Sequence, residues 1–150
     1  MMGLLSLILM LFLTPAQTPA AASVVGVGLT NAQEVVVQNP QFSGFIESRP
    51  DGSVLMFRQE KIRGEILLST IQRIDLSYTK DGVFPLTVTL KNGEKLEVEA
   101  NRRDFLTIRG RTELGSITIN HPDPITAAVG FLNRNRDRTK DLTIRYLEFR

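Results

Sequence analysis

The sequence predicts a mainly β protein: a small antiparallel β-barrel or sandwich built from hairpins, with one short helix near the C-terminus. Three observations carry this expectation. Apolar and polar residues alternate along Leu86–Leu90 and Lys95–Glu99, the period of a strand with one buried face. Three turns of one kind, Pro50-Asp51-Gly52, Lys80-Asp81-Gly82 and Lys91-Asn92-Gly93, separate such stretches, each ending on the residue that accepts a positive φ. Helical spacing of apolar residues occurs in one place, after Asp123.

The best-specified stretch is Ile74–Ala100, read as three consecutive strands. Asn92-Gly93 suggests a two-residue turn, but that register sets Val88 against Glu97 and Leu86 against Glu99. A three-residue loop, Lys91-Asn92-Gly93, pairs Val88 with Leu96 and Leu86 with Val98 instead. Directly opposed residues share a face, so burial selects the three-residue loop. The loop Lys80-Asp81-Gly82 likewise pairs Tyr78 with Phe84, Leu76 with Leu86 and Ile74 with Val88. The opposite face carries Asp75, Ser77, Thr87, Thr89, Lys95, Glu97 and Glu99, and is expected to meet water. Pro85 lacks an amide hydrogen and would leave a ladder bond unmade unless it faces an edge or a bulge.

The chain begins with an apolar run, Met1 to Leu13, then Thr14-Pro15 and small residues ending Ala20-Ala21-Ala22. That is the layout of a secretory signal peptide, too short to span a bilayer, and cleavage is expected after Ala22. The expected domain plan is therefore a signal peptide over 1–22, a lead-in over 23–41 and a single β-rich domain over 42–150. The lead-in, either a first strand or a flexible segment, has Val24, Val25, Val27 and Leu29 interrupted by Gly26 and Gly28, which argue against a helix. The expected location is periplasmic, cell-envelope or extracellular, with no transmembrane span after signal cleavage. The chain has no cysteine, so neither a disulfide nor a lipid-modified cysteine is available.

Phe42–Glu47 and Val54–Arg58 read as a hairpin around Arg49-Pro50-Asp51-Gly52, with Phe45 facing Phe57 and Ile46 facing Met56. Apolar residues on both of its faces predict a more enclosed position than the central strands. Glu65–Leu68 follows as a strand, then Ser69–Arg73 as a turn. Phe105–Arg109 and Ser116–Asn120 form another hairpin around Gly110 and Gly115. Ile62-Arg63-Gly64 and Ile108-Arg109-Gly110 follow the turns at Gly52 and Gly93 in a faint repeat that would suit two duplicated halves. These short strands resemble small β-barrel modules of exported proteins over Phe42–Asn120, without a diagnostic residue that names a family or transfers a function. Asp123 then reads as an N-cap and Pro124 as the first helical residue. Ile125, Ala128, Val129 and Leu132 form its apolar stripe. Asn133–Asp141 is a polar loop and Leu142–Phe149 a final strand.

Candidate chemistry is sparse. His121 is the sole histidine, and without cysteine it has no companions for a usual zinc site. Ser43, Ser53, Ser69 and Ser116 sit in no Gly-x-Ser-x-Gly elbow. Glu97 and Glu99 share a face, but it is the wet one, beside Lys95. No phosphate-binding or dinucleotide glycine pattern occurs. No catalytic group, cofactor or metal is therefore expected, and no specific nucleic-acid motif is present. Net charge is +2 and unevenly spread: residues 1–100 hold 8 Lys/Arg against 10 Asp/Glu, residues 101–150 hold 10 against 6. Arg134, Arg136, Arg138 and Lys140, with Arg102 and Arg103, are the candidate anion-binding residues, suited to lipid headgroups or polyanions. Asp137 and Asp141 interrupt that run, and no aromatic is interleaved to stack bases.

The function expected from the sequence is a non-catalytic exported β-domain that binds a protein, either its own copy or an envelope partner. Binding of anionic surfaces through the basic C-terminal loop is the alternative. A carboxylate-dependent hydrolase is a further one, which requires two acidic side chains converging in a concave site.

Overall fold

Strands form where the alternation requires them. The structure is a computed structural model and describes residues 23–29, 33–77, 83–101, 106–121, 126–127 and 144–150. The strands are Val24–Leu29 (β1), Glu34–Ser43 (β2), Ile46–Glu47 (β3), Val54–Gln59 (β4), Ile62–Leu67 (β5), Ile71–Leu76 (β6), Val83–Leu90 (β7), Lys95–Asn101 (β8), Leu106–Thr112 (β9), Gly115–His121 (β10), Thr126–Ala127 (β11) and Ile144–Phe149 (β12). Every ladder is antiparallel. They join into one curled sheet, half a barrel, in the order β11-β10-β9-β2-β1-β12-β6-β7-β8-β4-β3, with β5 paired to β4.

The central strands take the expected register. Leu76 faces Leu86 and Ile74 faces Val88; Leu86 faces Val98 and Val88 faces Leu96. Gly93, at φ +89°, closes the three-residue loop, donating its amide to the Leu90 carbonyl at 2.9 Å. Ile74, Leu86 and Val88 are completely buried. Pro85 is tolerated for a geometric reason. Its carbonyl accepts from the Ser77 amide at 3.0 Å, and the amide and carbonyl of one strand residue point to the same side. The missing donor therefore faces the end of β6, and the ladder with β8 loses nothing. Tyr78 and the loop Lys80-Asp81-Gly82 lie outside the described residues.

Of the two readings of residues 23–41, the structure shows the strand: they supply β1 and most of β2 in the middle of the sheet, with Val25, Val27 and Val37 buried. Other expectations are corrected. The expected strand Phe42–Glu47 is broken at Gly44, φ +108°. Its first part pairs with β9 and its second with β4. That bend packs Phe42, Phe45 and Ile46 into the core together. Across the following loop Ile46 faces Leu55, not Met56, and Phe57 faces Gly64 on β5, not Phe45. The turn at Pro50-Asp51 does form, with Gly52 donating to Arg49 at 3.1 Å. Glu47 opposite Val54 leaves six residues between the strands, too many for the turn to dictate register. Val54 and Leu55 are both buried, as the two apolar faces of that hairpin require.

Strand β9 runs straight through Gly110 to Thr112, and the hairpin turns at Glu113-Leu114. A side chain at 110 would meet Val37 Cγ1 at 2.4 Å, where β2 bulges around Asn39. The two Ile-Arg-Gly sequences occupy different settings: among the described residues the first lies on β5, paired with β4 alone, and the second on β9, between β2 and β10. Of the expected helix, Thr126–Ala127 are instead extended and pair with Thr118 and Ile117. The rest of it, including Asp123, Pro124 and Ile125, lies outside the described residues. The final strand carries a bulge: Gly28 faces Tyr146 but Leu29 faces Ile144. The extra residue, Arg145, reverses the alternation, so Ile144, Leu147 and Phe149 are buried while Tyr146 turns outward.

Truncating a residue on the dry face should therefore cost far more than truncating its neighbour. Leu86→Ala is expected to lose about 2–5 kcal/mol of unfolding free energy, and Thr87→Ala, on the wet face, about 1 kcal/mol or less. Urea denaturation of both variants checks this.

Candidate functional site

The outer face of β2, β1, β12 and β6 carries a polar cluster organised by two glycines, Gly28 beneath Tyr146 and Gly26 beneath Glu34 and Arg150. The Tyr146 ring lies across Gly28, where a Cβ would come within 2.0 Å of it. Its hydroxyl donates to Glu34 Oε2 at 2.7 Å, and Arg150 reaches Glu34 Oε1 at 2.6 Å. Above the ring the Arg73 guanidinium stands 3.8 Å from the centroid, paired with Asp75 at 2.9 Å and Glu148 at 3.5 Å. Each charge here answers another. The cluster laces four strands together on the side away from the core.

That arrangement sets two ionisations. The hydrogen bond from Tyr146 is the main cause that holds the Glu34 carboxyl below its ordinary value of 4.5, with burial opposing and Arg150 assisting. The same bond, helped by burial, raises the Tyr146 phenol above its ordinary 10.0. A depressed carboxyl stabilises the fold above pH 4.5 and loses that contribution as pH falls through the lowered value. A raised phenol contributes fully below pH 10.0 and loses its contribution as pH rises beyond it. Tyr146→Phe should therefore flatten both limbs of the stability–pH curve, measured as the urea midpoint from pH 3 to 11.

The opposite situation holds at β5. This strand pairs with β4 on one side and has no ladder on the other among the described residues. The Leu68 amide donates to the Ser53 carbonyl, while the Met56 amide points the other way, to the Phe45 carbonyl. By strand alternation Ile62, Gly64 and Ile66 bond to β4, so Arg63, Glu65 and Leu67 direct their amides and carbonyls to the open edge. Ile62 is 65% and Leu67 42% exposed. An edge with unpaired backbone and exposed apolar side chains is a template for another strand.

Beside this edge lies an open groove of about 610 Å³, lined by Met56, Phe57, Arg58, Arg63, Glu65 and Glu99 and floored by Gly64. Phe57 folds its ring over Gly64, where a Cβ would approach to 2.4 Å, repeating the device seen at Tyr146 and Gly28. Arg58 stands directly opposite Arg63 on one side and Glu99 on the other. Neither arginine makes an ion pair or side-chain hydrogen bond among the described residues. Glu65 is held by Arg49, with Nη1 to Oε2 at 3.0 Å. Glu65 and Glu99 thus share one concavity but stand on strands separated by β4, and the register across these strands runs Glu99, Arg58, Arg63, with two like charges side by side.

Of these side chains the sequence weighs only Glu99, as a carboxylate beside Glu97 on the wet face, and it singles out none of the others as a site. The turn joining β4 to β5, Glu60-Lys61, has no Gly or Pro, and Glu60 itself takes the left-handed conformation at φ +53°. Turn chemistry gave no signal that Arg58 and Arg63 would be opposed. The residues the sequence does single out, Arg102, Arg103, Arg134, Arg136, Arg138 and Lys140, all lie outside the described residues. Among the described residues no three His, Asp or Glu side chains are grouped as a metal site. No helix there is long and apolar enough to cross a membrane. Comparison with protein-family models, with curated proteins and with solved structures finds no match in any of the three.

Proposed function

We propose that this chain is a non-catalytic exported module that binds protein by strand addition, taking an extended segment of its partner along β5. The observation that carries the proposal is the open edge itself, with three consecutive outward-facing residues, Arg63, Glu65 and Leu67, beside a groove. Backbone hydrogen bonds to an added strand supply affinity, and side chains alternating along it supply specificity. The charge of the groove defines the segment. It carries a carboxylate opposite Arg63, relieving the like-charge opposition of Arg58 and Arg63, and an apolar residue against Ile62.

Recognition fits the groove better than catalysis, because its two carboxylates stand on strands separated by β4 and Arg49 holds one of them. Export is supported by the leader-like composition of residues 1–22.

Random-sequence peptides displayed on phage provide the test. Enriched sequences should be extended, with an acidic residue flanked by apolar ones. Arg63→Pro removes an amide that faces the open edge while leaving every bond to β4 intact. It should weaken the selected peptides about tenfold or more, the worth of one lost hydrogen bond and its charge contact. Equal binding by wild type and Arg63→Pro would refute strand addition at β5.

A further inference from the structure

Resting on the strand-addition reading above, we infer that the segment β5 accepts is β5 of a second copy, joined antiparallel about a two-fold axis at Gly64. Two strands pair by hydrogen bonds only where outward-pointing residues face outward-pointing residues, which restricts the partners to Arg63, Glu65, Leu67 and their copies. One register places Arg63 opposite Glu65 of the second copy, and Glu65 opposite the second copy's Arg63. Gly64 then faces Gly64, and Ile62 faces Ile66. The neighbouring registers of the same parity bring Arg63 onto Arg63, or Glu65 onto Glu65, across the axis, and like charges directly opposed are unfavourable.

The self-complementarity is more than charge. Ile62, the most exposed large apolar residue among those described at 65%, lies beside Ile66, which already packs against the core cluster. Gly64 has no side chain to obstruct the axis, and each copy keeps its Phe57 ring over its own Gly64. Arg63 gains an opposite charge from the second copy that its own chain does not provide among the described residues. The sequence Ile62-Arg63-Gly64-Glu65-Ile66 therefore meets its own specification for a ligand: a carboxylate opposite Arg63 with apolar residues flanking it. A contact of one strand per copy is smaller than the roughly 800 Å² per partner of a standard stable interface, so the association is concentration-dependent.

A charge exchange tests this without an unknown partner. In sedimentation equilibrium over about 1 μM to 1 mM, spanning weak affinities, the wild-type protein should rise towards twice the monomer mass. Arg63→Glu and Glu65→Arg alone should each stay monomeric, because each sets like charges opposite one another in both pairs. Mixed in equal amounts they should regain the dimer, since both pairs are again opposite. Circular dichroism confirms that each variant is folded. A second measurement does not depend on charge. The chain has no cysteine, so Ile62→Cys and Ile66→Cys in one chain should cross-link between copies under mild oxidation, with at least several-fold more dimer than either substitution alone. A wild-type protein monomeric throughout, single-charge variants that still dimerise, or a mixture that stays monomeric would each overturn the inference. Peptides that dock on β5 of a strictly monomeric protein would overturn self-pairing and leave strand addition standing.

Discussion

Successive side chains of a strand point to opposite faces, so each hairpin register decides which half of its residues goes into the core. In this molecule almost everything follows from that constraint. Leu86 and Val88 meet Val98 and Leu96 on one side and Leu76 and Ile74 on the other, and that shared dry face continues through Leu147 and Val27 to Val35. Where the sequence departs from alternation, the backbone absorbs the departure. The bulge at Arg145 lets Ile144 and Leu147 both point inward. The bend at Gly44 lets Phe45 and Ile46 do so side by side.

One packing device occurs on both faces of the sheet: an aromatic side chain lying over the glycine directly opposite on the neighbouring strand. Tyr146 does this on the outer face, where the surrounding charges pair among themselves and bind four strands together. Phe57 does it on the other face, packed against the core cluster. On the outer side of β4 and β5, Arg58 and Arg63 have no ion-pair partner among the described residues, and no strand is paired beyond β5 there. A sheet edge normally carries protection against further pairing, such as a lysine or proline. On β5 the edge-facing residues are Arg63, Glu65 and Leu67, a sequence whose charges suit an antiparallel copy of itself.

The central strands were legible in the sequence because their information is local: alternation, a glycine-closed loop and one register that avoids burying Glu97 and Glu99. The remainder was less so, for reasons that can be named. Gly26 and Gly28 read only as an argument against a helix, whereas Gly28 makes room for Tyr146, a residue far along the chain. The six residues between Glu47 and Val54 formed the expected turn without fixing the pairing, which shifted by one. Gly110 read as a turn residue because nothing nearby reveals that Val37 packs onto it. Ile62-Arg63-Gly64 read as half of a repeat; its place at an edge is a property of sheet order, which no stretch of sequence states.

Strand addition and self-pairing both require β5 to have one bonded side and one open side. Residue-resolved amide hydrogen exchange on the dilute, monomeric protein measures this directly. Slow exchange at Gly64 and Ile66 alternating with fast exchange at Arg63, Glu65 and Leu67 is the predicted pattern. Uniform protection along Ile62–Leu67 would mean that the edge is already covered within the chain, and uniform fast exchange that the strand does not form; either result contradicts the account.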